Sequence, residues 1–131
     1  MAKVGMIGAG SWGIALTVLL HNNGHDITVW SALKDEIDML RREHEHKDKL
    51  PGVKLADDIV FTTELADAVN GKDILVLAVP SSFTRATAHS MRDYVSDGQI
   101  IVNVAKGIEE ATLMTLSQVI EDEIPQADVA V

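Results

Sequence analysis

Three glycines in six residues are the first candidates for chemistry in this chain: Gly8, Gly10 and Gly13 of the run Gly8-Ala9-Gly10-Ser11-Trp12-Gly13. They follow an apolar stretch, Val4 to Ile7, and open an apolar helical pattern, Ile14 to Leu20. That context predicts a strand, a tight turn and a helix whose first amides face a dinucleotide pyrophosphate. Gly8 would permit the turn, Gly10 would let a phosphate approach the backbone, and Gly13 would let the helix lie close on the strand. The free N–H groups and the positive helix end supply the attraction for the anion. Two residues in the run have a second explanation. Ser11 could serve as a helix cap. Trp12 could cover the core beside the helix start.

Lys106 is the second candidate. It ends an apolar stretch, Gln99 to Val104, and stands beside Gly107. An ammonium there can stabilise negative charge on a carbonyl or phosphate oxygen; a solvated surface lysine is the other reading. Pro80 and Ser81 follow the apolar run Asp73 to Val79, where turn chemistry alone would explain a strand stop and a helix cap. The five histidines do not suggest a metal centre. His44 and His46 are two apart and point apart on a helix. Asn23-Gly24 should end a helix between His21 and His25, and His89 stands alone. There are no cysteines, so no thiolate site or disulfide is available.

The elements that must position these residues alternate. Strands are expected at Lys3–Ile7, Asp26–Trp30, Ile59–Phe61, Asp73–Val79, Gln99–Val104 and from Asp128. Helices are expected at Trp12–Asn22, from Lys34 to about His46, from a Thr63 cap to Val69, from a Ser81 cap towards Tyr94, and at Glu110–Glu123 with Leu113, Leu116 and Ile120 on one face. In the second helix Ile37 and Leu40 face inward. The charged run Arg41 to Lys49, including Glu43 and Glu45, reads as a solvated face leading into a loop. The fold class is therefore α/β: a Rossmann-type, doubly wound, mainly parallel sheet with helices on both faces. In such a sheet the ligand sits at the carboxyl ends of the strands, so the loops 8–13, 30–34, 79–82 and 104–108 should converge on it.

Bulk properties fit this reading. At 131 residues, 47% hydrophobic and 24% charged, the chain is one ordinary globular domain. A net charge of −9 argues against nucleic acid as a partner. No stretch is apolar enough for a membrane span, and no signal segment leads the chain, so a cytoplasmic location is expected. The sequence stops within an apolar strand pattern, which suggests that residues 1–131 are the first domain of a longer protein.

At this point the loops resemble a known family. GAGSWG at 8–13, LPGVKL at 50–55, AVPS at 78–81 and AKGIE at 105–109 are similar to the N-terminal domain of bacterial NAD(P)-dependent glycerol-3-phosphate dehydrogenases. The resemblance implies reduction of dihydroxyacetone phosphate to sn-glycerol 3-phosphate with NAD(P)H, a step towards phospholipids. It implies a helical C-terminal domain, absent here, that carries the proton-donating lysine and most substrate phosphate contacts. Residues 1–131 alone should then bind the cofactor weakly and turn over nothing. A homodimer of the full-length protein stays an open expectation. Ser11 and Trp12 match the family's cofactor contacts, and Lys106 matches the lysine that touches cofactor and substrate.

Two positions depart from the family pattern: Leu33 stands where an arginine is common, and Lys49 where an aromatic is common. No acid ends the second strand. Lys34 or Lys49 would supply charge to a ribose 2′-phosphate, and Asp35 would instead serve the ribose. On charge, the sequence leans to NADP over NAD. Two alternatives stand beside the main reading. One is a two-domain reductase of ketopantoate or 6-phosphogluconate type, against which the AKGIE block argues. The other is a non-catalytic nucleotide-sensing module, which would not need Lys106.

Overall fold

The computed structural model describes residues 1–131. Six strands form one sheet: β1 (Lys3–Ile7), β2 (Asp26–Trp30), β3 (Val60–Thr62), β4 (Ile74–Leu77), β5 (Ile100–Asn103) and β6 (Asp128–Ala130). Their order is β3-β2-β1-β4-β5-β6, and every pairing is parallel. Consecutive strands step outward from β1 to β3; the chain then crosses back to lay β4 on the other side of β1. The reversal between β1 and β4 is the place where an open α/β sheet leaves a crevice.

Strand alternation divides the core into two layers. Val4 and Met6 of β1 face one side, with Ile27, Val29 and Val76. Helices α1 (Ser11–Asn22) and α2 (Lys34–Glu43) cover that side through Ile14, Ile37 and Leu40. Ile7 faces the other side with Leu75, Leu77 and Ile101. There α3 (Leu65–Val69), α4 (Thr84–Met91) and α5 (Leu116–Glu123) supply Val69, Met91 and Ile120, with Ile124 just past the end of α5. Each such fully buried Ile, Leu or Met side chain contributes roughly 1.5–3 kcal/mol. No helix is long and apolar enough to cross a membrane.

Several boundaries differ from the sequence expectations. The last helix starts at Leu116 instead of Glu110. Thr115 caps it in a reciprocal box with Gln118, and Leu113 is left outside with a φ of 61° and 73% exposure. Helix α2 ends at Glu43, because His44 takes a left-handed conformation. The following residues are not a solvated face: Glu45 and His46 are buried. Glu45 accepts the Gly52 N–H at 3.0 Å and pairs with Lys54 at 3.1 Å. Neither Thr63 nor Ser81 caps a helix through its side chain. Thr62 is the residue that accepts the Glu64 N–H, and Ser81 opens a short 3-10 turn, Ser81–Phe83.

One glycine in β1 is a packing requirement. A Cβ on Gly5 would lie 1.9 Å from the carbonyl oxygen of Ala68 in α3. Gly5→Ala must push α3 off the sheet, and overpacking of this kind costs about 1–3 kcal/mol. A clear fall in the thermal midpoint is expected; an unchanged midpoint would show that α3 does not sit on β1 this closely.

Candidate functional site

The carboxyl ends of the central strands are tied together beneath one cleft. Ala78 donates to the Ile7 carbonyl at 2.8 Å, Gly8 to the Trp30 carbonyl at 2.9 Å and Val104 to the Leu77 carbonyl at 3.2 Å. Four loops rise from this seam, at 8–12, 30–33, 78–81 and 104–106, and enclose about 620 Å³. They are the four loops that the strand pattern implicated.

The three glycines of the first loop have different physical reasons. Gly8 has a φ of +125°, and a Cβ there would meet the Ala78 carbonyl at 2.6 Å. A Cβ on Gly13 would meet the Gly8 carbonyl at 2.4 Å, so Gly13 is what lets α1 lie against the end of β1. Gly10 is unlike both. It is the N-cap of α1 with φ −72° and ψ −178°, which any residue adopts, and nothing lies within 4 Å of its would-be Cβ. The protein itself does not need glycine at 10. The vacant space lies in the cleft at the amino end of α1, where a bare backbone suits an approaching phosphate. This is the feature by which the loop fits a dinucleotide.

The neighbouring side chains are arranged around that opening. Ser11 is not the helix cap; its hydroxyl donates to the Lys49 carbonyl at 2.9 Å and holds the 49 loop to the glycine loop. Trp12 does not cover the core: it is 61% exposed and lines the cleft. Pro80 also lines the cleft and leads into the short turn. Leu33 lines the cleft as an exposed apolar side chain. Gly13 lies behind the cleft wall, and Lys34 lies outside the cleft, paired with Asp38 at 2.7 Å.

An acid that the sequence reading overlooked sits at the end beyond β2. Glu36 lies in the first turn of α2 and lines the cleft, although its side chain is only 9% exposed. Its carboxylate accepts from the Ser31 hydroxyl at 2.6 Å, from His46 Nε2 at 2.7 Å and from the Lys49 ammonium at 3.3 Å. Burial works to raise this carboxyl. The hydrogen bonds from Ser31 and His46, with the Lys49 charge, outweigh burial and hold it below the usual carboxylate range. Position alone could not reveal it. The acid falls six residues after Trp30 and reaches the cleft from the first turn of α2.

Lys106 is the cleft cation left without an ion pair; Lys49, the other, is engaged by Glu36. Its loop is built from both sides. Asn103 ends β5 and brackets Ala105, accepting its N–H at 3.0 Å and donating to its carbonyl at 3.2 Å. On the far side Arg85 of α4 grips Glu109 with two bonds, 2.7 and 2.9 Å, and also binds Asp122 and Glu123 of α5. Hydrogen bonding to Glu109, then to Asp122 and Glu123, raises the Arg85 pKa above its already high ordinary value. Arg85 and Asn103 carry no sequence signal for this role, since their partners lie on other elements.

Residues 3–131 match the family model described as NAD-dependent glycerol-3-phosphate dehydrogenase N-terminus. The chain is 63% identical over 131 residues to a glycerol-3-phosphate dehydrogenase (NAD(P)+) of Agathobacter rectalis, covering all of this chain and 39% of that protein. It is 39% identical over 125 residues to the enzyme of the same name from Bacillus subtilis, covering 95% of this chain and 36% of that one. The fold is shared with the crystal structure of a glycerol-3-phosphate dehydrogenase from Coxiella burnetii, at TM-score 0.91 and 23% identity, over 98% of this chain and 39% of that one. The chain thus spans well under half the length of the relatives it matches.

Two outcomes are expected from this geometry. Gly10→Val should lose dinucleotide binding while costing the fold no more than a capping change, about 0.5–1 kcal/mol. Gly13→Ala should lower the thermal midpoint sharply. Calorimetric titration and thermal melts read the two effects, and a Gly10→Val chain of unchanged affinity would move the ligand away from this loop. The second outcome concerns acid. Because the folded Glu36 pKa is depressed, its stabilising effect is complete above the ordinary glutamate range and is lost as pH falls through the depressed value. Urea midpoints of the parent and of Glu36→Gln should therefore differ at pH 7, and the gap should narrow as the medium is acidified below the ordinary glutamate range; a gap that did not narrow would contradict this.

Proposed function

The chain belongs to the NAD-dependent glycerol-3-phosphate dehydrogenase family, and on that premise we propose that it forms the dinucleotide-binding part of an enzyme that reduces dihydroxyacetone phosphate to sn-glycerol 3-phosphate with NADH or NADPH. The observation that carries the reading is Gly10. A glycine that neither backbone angle nor packing requires stands at the mouth of α1, in the cleft at the sheet reversal.

In this proposal the first amides of α1 hold the pyrophosphate, aided by the positive helix end. Trp12 and Pro80 both line the cleft and limit where the cofactor lies. The bound nicotinamide supplies the hydride. Lys106 extends an unpaired ammonium at the end of β5 and would stabilise negative charge on the substrate oxygen as the carbonyl is reduced. Arg85 and Asn103 are positioning residues for that loop. A further, mainly helical domain would complete the substrate site and bring the proton donor. The resemblance of the four loop blocks and the greater length of the relatives support that part of the proposal. A ketopantoate or 6-phosphogluconate type of reductase has no comparable support.

Activity assays on the full two-domain protein test the reading. Lys106→Met should lower kcat by about 100-fold, the usual loss when one group that stabilises developing charge is removed. Residues 1–131 alone should bind reduced cofactor without turnover. Full activity of Lys106→Met, or steady reduction of dihydroxyacetone phosphate by residues 1–131, would overturn these assignments.

A further inference from the structure

We infer that Glu36 selects the ribose 2′-position of the dinucleotide: its carboxylate accepts a hydrogen bond from a free 2′-hydroxyl and repels a 2′-phosphate. The inference rests on the dinucleotide reading above and goes beyond it by choosing NAD over NADP.

Geometry comes first. Glu36 lies just past the carboxyl end of β2, on the wall shared by the main cleft and a neighbouring hollow that runs past Leu33. An ionised carboxylate offers about four acceptor sites. Three are taken here, by Ser31 on Oε1 and by His46 and Lys49 on Oε2. Room for one further donor remains, which matches a hydroxyl and not a phosphate. The three partners also fix the carboxylate in place, so little ordering cost remains when a hydroxyl arrives.

Charge points the same way. A phosphate monoester brings about −1.5 to −2 charges at neutral pH. Every cation close to this end is already engaged: Lys34 with Asp38, Lys49 with Glu36, and Arg41 with the Phe61 carbonyl at 3.0 and 2.7 Å. The hollow also holds Asp35 and Asp48, and its exposed apolar residue is Leu33. Drawing Lys49 away to meet a phosphate would leave the buried Glu36 carboxylate with one partner fewer, facing a like charge. The lean to NADP read from sequence took Lys34 and Lys49 as free charges; the structure pairs both with acids.

Calorimetry on the full-length protein tests this, with ADP-ribose and 2′-phospho-ADP-ribose as probes beside NADH and NADPH. The unmodified protein should bind the unphosphorylated member of each pair about tenfold or more tightly than its partner, since like-charge juxtaposition at an interface is strongly unfavourable. Glu36→Gln should shrink that ratio at least about tenfold, mainly by tightening the phosphorylated ligands. Equal or tighter binding of the phosphorylated ligands by the unmodified protein would overturn the assignment to Glu36. So would a ratio unmoved in a folded Glu36→Gln variant. Should that variant fail to fold, the two ADP-ribose probes on the unmodified protein decide alone. Failure of all four ligands to bind would remove the dinucleotide site itself, and this inference with it.

Discussion

Backbone-to-backbone contact at β1 is the constraint on which the rest of the molecule depends. Gly13 brings α1 onto the carbonyl of Gly8, Gly8 brings the loop onto Ala78 at the end of β4, and Gly5 brings α3 onto the opposite face of the same strand. No residue with a Cβ can satisfy the three contacts, because its Cβ would stand 2.4, 2.6 and 1.9 Å from a carbonyl oxygen, below any real carbon contact. This seating puts the amino end of α1 above the seam between β1 and β4, where the strand order reverses. The cleft follows from it. A helix set even one side chain further from the sheet would aim its free amides elsewhere.

The second organising effect is the pairing of charge. The chain carries a net charge of −9 yet must accommodate an anionic ligand in the proposed role. The acid that lines the cleft and those behind its β5 loop are not free. Glu36 is held by Ser31, His46 and Lys49 beyond β2, and Glu109, Asp122 and Glu123 gather on Arg85 behind the β5 loop. Hydrogen bonds from Arg85, then Thr112, keep Glu109 ionised below its ordinary range, so that acid stays committed to the clamp. Lys106 is left as the unpaired cation facing the cleft. A local positive site on an acidic chain thus arises by occupying the acids and not by adding bases.

The departures from the sequence expectations share a cause. A helix start at Glu110 is reasonable from composition, yet the chain at 109–115 is drawn into a loop. Arg85 holds Glu109, Ile108 bridges to Thr115, and the Thr115–Gln118 box then defines the true start. The run 41–49 looks solvated by its charges, yet Glu45 and His46 turn inward because Gly52, Lys54 and Glu36 supply partners. Ser11 has the composition of a cap, but its hydroxyl finds the Lys49 carbonyl thirty-eight positions away. In each case a hydrogen-bond partner at least seven positions away took part.

What the sequence by itself determined is whatever depends on neighbours along the chain. The alternation of apolar runs with helical patterns established six strands and a doubly wound sheet, and the spacing of Gly8, Gly10 and Gly13 marked the turn into α1. Strand period and turn chemistry act over a few residues, so they are legible without coordinates. Tertiary structure alone decided which charges are free. Lys34, Lys49 and Lys106 are alike as letters, but the first pairs with Asp38, the second with Glu36, and the third with nothing. Gly5 and Glu36 were equally silent in sequence, one explained by an α3 carbonyl and the other by the partners Ser31, His46 and Lys49 that hold it at the cleft. The physical reason is range: packing and ion pairing act across space between segments that only the folded chain brings within a few ångströms.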